Sequence, residues 1–175
     1  MQDIRELLVL QIKENGISSS AYSSLTEHRK GMLEPVEGKY FLKKEFRSKF
    51  KVVITGGAFD ILHAGHIFAL NEAKKYGNFL VLVVARDEMI LKKGRQPVHN
   101  QEYRAFMLDF LKPVDLVLLG KEHPKEIFDQ VKPDVIVYGY DQHEIVNASN
   151  GVEVVKLKEH FGGFKTSKII KDLGT

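Results

Sequence analysis

The chain has 175 residues, 43% of them hydrophobic and 28% charged, with a formal net charge of +3 at pH 7; that suffices for one α/β domain, or for a domain of roughly 120 residues with a small appendage, without metals or crosslinks. There is no cysteine, which excludes a disulfide framework, thiolate zinc sites and cysteine nucleophiles. No apolar run approaches the roughly 18 residues of a membrane span, and Met1-Gln2-Asp3-Ile4-Arg5-Glu6 lacks a signal peptide's basic and then apolar order. A cytoplasmic protein is therefore expected, with a charge too small to argue for nucleic acid but well suited to anionic substrates.

Residues 1–48 read apart from the rest. Ile4, Leu7, Leu8 and Ile12 recur at helical spacing, and Asn15-Gly16 is a helix stop. Ser18-Ser19-Ser20 can cap a second helix running to about Lys30, ended by Gly31. Met32 to Phe46 alternates loosely around Glu37-Gly38, a hairpin-turn signal. Two helices and a hairpin are similar to a truncated winged helix, while the plainer reading is a helical extension covering a sheet edge or a dimer interface.

Residues 49–175 alternate strand and helix. Val52-Val53-Ile54 is a buried-strand run that ends on Thr55-Gly56-Gly57, and a helix is expected from Gly65 to Tyr76, stopped by Gly77. Phe79–Val84 is a second strand, Gln101–Leu111 a helix and Leu116–Leu119 a third strand. Pro124–Val131 is a helix with proline in its first turn. Val135–Tyr138 and Val152–Leu157 complete the strands, and Ser167–Leu173 reads as a closing helix. Strands apolar throughout are buried on both faces. The expected fold is thus a Rossmann-like parallel α/β sheet of about five strands with helices on both faces, plus the small N-terminal extension. Ligands of such sheets bind beyond the carboxyl ends of the strands.

The end of the first of these strands carries the chemistry. Two glycines let the backbone pass close to a ligand. The helix that follows turns its free amides and positive dipole end toward the same space. His63 and His66 are three apart at that helix start, so they project to one side. Two imidazoles there can donate hydrogen bonds to phosphate oxygens and stabilise charge during phosphoryl transfer. Metal ligation, or one histidine satisfied within the core, is the competing reading of the spacing alone.

The stretch Thr55-Gly56-Gly57-Ala58-Phe59-Asp60-Ile61-Leu62-His63-Ala64-Gly65-His66 resembles the G-x-F-D-x-x-H-x-G-H signature of the cytidylyltransferase-like nucleotidyltransferases. The resemblance continues through Val84-Ala85-Arg86-Asp87-Glu88, Tyr103-Arg104, Tyr138-Gly139-Tyr140-Asp141 and Gly163-Phe164-Lys165-Thr166-Ser167-Lys168. It spans about residues 50–175 and leaves out 1–49. It implies that His63 and His66 bind the triphosphate and stabilise the transition state, and that the amides of Gly57, Ala58 and Phe59 cradle phosphates. It implies that Lys92 or Lys93, on the segment after the second strand, reaches the phosphates. Arg104 would hold phosphate or acceptor, Gly139 and Asp141 would line the nucleoside pocket, and Thr166 and Ser167 would sit on the phosphates at the last helix. Asp60 is expected to order the loop through backbone hydrogen bonds rather than to act as a base.

The plainer alternatives are a solvated charge run for Lys92, Lys93 and Arg95, a surface ion pair of Arg104 with Glu102 or Asp109, a turn for Asp141 and helix caps for Thr166 and Ser167. His28, His99, His123, His143 and His160 receive no role.

The implied reaction is attack of a phosphomonoester oxygen on the α-phosphorus of ATP or CTP, with pyrophosphate leaving. Mg²⁺ would bridge the phosphates, and no metal ligands are assigned to the protein. Lys132-Pro133-Asp134-Val135-Ile136-Val137-Tyr138-Gly139-Tyr140-Asp141-Gln142 and Leu111-Lys112-Pro113-Val114-Asp115 are similar to archaeal FAD synthases, which move AMP from ATP to FMN, although those typically carry cysteines near the C-terminus. Glycerol-3-phosphate cytidylyltransferases have tryptophan where Gln142 stands, and His160 and Lys165 replace residues of their closing motif. A CTP enzyme for glycerol 3-phosphate or a similar small phosphate is the alternative. Relatives are commonly dimeric, which implies a homodimer.

A reading of another class makes the site a nucleotide sensor and residues 1–48 a nucleic-acid contact. That segment holds Arg29, Lys30, Lys39, Lys43, Lys44 and Arg47, but also seven acidic residues. The balance weighs against a phosphate-binding face.

Overall fold

The computed structural model describes residues 1–140, 142, 151–158, 169 and 172. The chain divides into two compact units, Met1–Phe50 and Lys51–Thr175.

In the first unit, α1 (Gln2–Lys13) buries Ile4, Leu7, Leu8 and Ile12 along one stripe. Asn15 and Gly16 both take positive φ after it, and a Cβ on Gly16 would lie 2.5 Å from the Phe41 ring. The single helix expected from Ser18 to Lys30 is instead two, α2 (Ser19–Ser23) and α3 (Glu27–Lys30). The break has a local cause. Ser23 and Ser24 turn their hydroxyls back onto the carbonyls of Ser19 and Ala21, and Thr26, extended in backbone, accepts from the Arg29 amide as a fresh N-cap. Strands β1 (Leu33–Val36) and β2 (Lys39–Leu42) pair antiparallel. Glu37 and Gly38 between them both have positive φ, as a two-residue hairpin turn requires. A short α4 (Lys44–Arg47) follows, with no counterpart in the sequence reading.

The second unit holds β3 (Val52–Gly57), α5 (Ala64–Lys74), β4 (Phe79–Val84), α6 (Asp87–Leu91), α7 (Gln101–Asp109), β5 (Leu116–Leu119), α8 (Pro124–Val131), β6 (Val135–Tyr138) and β7 (Glu153–Lys156). The strands form one five-stranded sheet in the order β5-β4-β3-β6-β7, and every pairing is parallel. Flanked by these helices, it is a Rossmann-like α/β fold. The core is what the continuous apolar runs require: Val53, Leu80, Leu82, Val135 and Val137 are buried with Leu70 and Leu108 from the helices. Helix α6 was not expected from the sequence. Of the expected closing helix Ser167–Leu173, Ile169 and Asp172 are described and are helical. Among the described residues, no helix is long and apolar enough to cross a membrane.

The chain leaves β3 toward β4 on one side and later returns to β6 on the other, so β3 and β6 flank the point where strand order reverses. In open α/β sheets it is at this point, beyond the carboxyl ends, that ligands bind. Side chains tie those ends together. Thr55 Oγ1 donates to the Val137 carbonyl at 2.8 Å, and Gln101 Nε2 donates to the carbonyls of Val84 (2.8 Å) and Gly120 (3.1 Å).

Candidate active site

The loop from β3 to α5 lies at this reversal point. Gly57 is required by its neighbour: a Cβ there would come within 2.9 Å of the Phe59 ring. Phe59 has φ +50° and is buried, a left-handed backbone that turns the chain sharply before the helix. Its ring lies 5.1 Å from that of His66. His63 is the extended N-cap of α5, and its carbonyl accepts from the His66 amide at 2.9 Å.

The two imidazoles stack with centroids 3.8 Å apart and planes 25° apart. Nδ1 of His63 is buried and meets no hydrogen-bond partner among the described residues. Burial also lowers the pKa of His63 below that of an ordinary imidazole, because desolvation disfavours the charged ring. A buried imidazole nitrogen with unmet capacity, at the positive end of an eleven-residue helix, is arranged to receive an anion.

Asp60 is 1% exposed. Its Oδ1 accepts from the amides of Val98 (2.9 Å) and His99 (3.1 Å), and its Oδ2 pairs with the Arg95 guanidinium. The backbone-ordering part expected of it is the one its contacts describe. Arg104 is fully buried on α7. Its guanidinium donates to the carbonyls of Ala58, Ala85 (2.8 Å) and His99 (3.0 Å), and to Asp87 Oδ1 at 2.5 Å. From the sequence, Arg104 is expected to hold phosphate or acceptor, and in the structure its guanidinium is directed at protein oxygens. Its position on the buried face of α7, one turn before Leu108, sends it beneath the loop, where protein oxygens take up its donors. The surface pair with Glu102 or Asp109 is excluded by the same burial.

Lys92 and Lys93 follow α6 and are exposed. Arg95, read from the sequence as part of a solvated charge run, is instead anchored on Asp60. Gly139 follows β6, and its amide donates to Gln142 Oε1 at 2.9 Å. Gln142 Nε2 donates in turn to the Gly56 carbonyl at 2.7 Å, so one amide side chain bridges the ends of β6 and β3. Asp141, Thr166 and Ser167 lie outside the described residues.

Residues 54–173 match the model of the family described as cytidylyltransferase-like. The chain belongs to the cytidylyltransferase-like family. It is accordingly a nucleotidyltransferase. Among similar proteins, the FAD synthase of Aciduliprofundum boonei is 42% identical over 117 residues, which cover 62% of this chain and 78% of that one. The FAD synthase of Picrophilus torridus is 36% identical over 130 residues, covering 68% of this chain and 92% of that one. A solved structure, the lipopolysaccharide core biosynthesis protein of Thermoplasma volcanium, shares 34% identity at a TM-score of 0.57 and covers 64% of this chain and 98% of that one. The family match starts at Ile54 and leaves the whole Met1–Phe50 unit outside it.

Sequence reasoning missed three contributors to this cytidylyltransferase-like site: Arg95, Gln142 as a bridge, and His99, whose amide and carbonyl tie to Asp60 and Arg104. No signal in the sequence marks a backbone group as a partner. Gln142 was visible only as a departure from tryptophan.

Proposed function

We propose that this nucleotidyltransferase is an FMN adenylyltransferase, joining FMN to the AMP moiety of ATP to give FAD and pyrophosphate. The observation that carries the chemistry is the His63–His66 stack at the head of α5, with a buried His63 Nδ1 that meets no partner among the described residues. The choice of substrates is supported by relatives 36–46% identical that are named FAD synthase.

An oxygen of the FMN phosphate forms the new bond to the α-phosphorus of ATP, and the α–β bridging bond breaks in line. The leaving pyrophosphate carries the electron pair. A phosphomonoester is already nucleophilic, so positioning and neutralisation of charge supply the rate. His63 and His66 donate to phosphate oxygens where charge grows, and the amides of Gly57, Ala58 and Phe59 hold the phosphates beside them. Lys92 or Lys93 brings a cation to the same oxygens, Gly139 and Asp141 border the nucleoside, and Thr166 and Ser167 complete the phosphate contacts.

Among the described residues, no group of three or more His, Asp or Glu side chains could cage a metal, and Asp60 is committed to Arg95 and two amides. In this reading Mg²⁺ enters with the nucleoside triphosphate, whose charge it would neutralise. We propose further that it works in the cytoplasm as a homodimer; sedimentation of the purified chain tests the second part.

The deciding experiment measures pyrophosphate release with ATP or CTP against FMN, glycerol 3-phosphate, phosphoethanolamine and phosphopantetheine. Release with ATP and FMN together, and formation of FAD, is expected. Turnover only with CTP and a small phosphate would replace this assignment.

A further inference from the structure

Asp60 and Arg104 both join the loop after β3 to the stretch between β4 and α7. Arg104 takes the Ala58 carbonyl from the loop, the Ala85 carbonyl and Asp87 at the near end of that stretch, and the His99 carbonyl at its far end. Asp60 takes the Val98 and His99 amides and the Arg95 guanidinium at the far end. Residues 88–97, which include most of α6 and both Lys92 and Lys93, thus form a strap fixed to the loop at its two ends.

We propose that Asp60 and Arg104 are positioning residues that set this strap, and with it Lys92 and Lys93, in register with the phosphate loop. The inference rests on the reading of the site as one for a nucleoside triphosphate. Neither group is free to serve a ligand. Arg104 is 0% and Asp60 1% exposed, and a buried ion is tolerable only while its hydrogen bonds are satisfied. Turning either toward a phosphate would leave backbone groups and a counter-ion unpaired. What both can do is remove conformational freedom from a cation-bearing segment before the nucleotide arrives. Held in advance, the lysines meet the triphosphate without the entropic cost of ordering the strap.

The test uses the full chain, ATP and FMN. Asp60→Asn keeps an oxygen for the two amides and loses the charge facing Arg95, whereas Asp60→Ala loses both. KM for ATP should rise about tenfold in Asp60→Ala and less in Asp60→Asn, with KM for FMN little changed. Removing both lysines (Lys92→Ala with Lys93→Ala) should cost the wild type about tenfold in kcat/KM for ATP and cost Asp60→Ala far less, because the lysines are then already out of register. A merely structural role for Asp60 predicts additive losses, and additivity overturns the proposal. Hydrogen exchange keeps the idea testable if activity is too low. The Val98 and His99 amides should be protected in the free wild type and exchange faster in Asp60→Ala, and unchanged exchange also overturns it. If the wild type turns over no nucleotide with any acceptor, the functional assignment falls, while exchange at these two amides still decides whether the strap is tied.

Discussion

The site contains two charged or chargeable pairs that behave in opposite ways. His63 and His66 are half-buried and stacked on one another, and a nitrogen of His63 is left without a partner among the described residues. Asp60 and Arg104 are buried and spend their hydrogen-bonding capacity on the protein itself. The difference separates groups kept for a ligand from groups that build the place where the ligand goes. Native folds seldom leave buried polar atoms unmet, and the unmet His63 Nδ1 is what supports the proposed phosphate role of this pair.

The sharpest way to break this contrast is to exchange the expected consequences. His66→Ala should lower kcat by about 10²- to 10³-fold, as loss of a transition-state donor does, while urea unfolding stays near that of the wild type. Arg104→Ala should do the reverse in kind. It leaves Asp87 and three carbonyls without their donor, at a cost of about 3–5 kcal/mol of stability, read from the same urea curves. If His66→Ala destabilised the protein more than Arg104→Ala, the division would be wrong.

A third substitution probes the joint between the two pairs. Gly57→Ala puts a methyl against the Phe59 ring, and overpacking of this sort costs about 1–3 kcal/mol. Phe59 packs beside His66, so turnover should fall as well, measured as pyrophosphate release.

The smallest effect is in pH. Burial lowers the pKa of His63, so the unfolded chain takes up this proton first as pH falls. The histidine's contribution to stability is therefore fully present above the ordinary imidazole value of about 6.5, and is lost as pH drops through the lowered folded value. Replacing His63 with glutamine should flatten that part of the stability profile. Triphosphate oxyanions favour the imidazolium, so nucleotide binding near pH 6 should draw a proton from solution, seen by calorimetry in buffers of different ionisation enthalpy.

What could be read from the sequence follows the same division. The strands were legible because parallel strands covered on both faces are apolar without interruption, as Val52–Ile54 and Phe79–Val84 are. The His63–His66 pair was legible because its elements are contiguous: strand end, glycines, helix start. The partners of Arg104 were not legible because they are carbonyls of Ala58, Ala85 and His99, which any residue type could supply. Arg95 and Asp60 are separated by 35 positions, and nothing local in either segment announces the pairing. The split of α2 from α3 escaped for a different reason. Ser23, Ser24 and Thr26 can support a helix or end one, and local hydroxyl-to-backbone bonds decided it.

That Arg104 grips main-chain oxygens has a consequence for how the protein can vary. A carbonyl is indifferent to the side chain it belongs to, so positions 58, 85 and 99 can change identity as long as the chain keeps its path. Position 104 has no such latitude, since only a guanidinium forks to several oxygens at once. The arrangement lets the surface around the loop drift toward other acceptors while the loop itself stays put, held by a residue whose donors go to the main chain and Asp87.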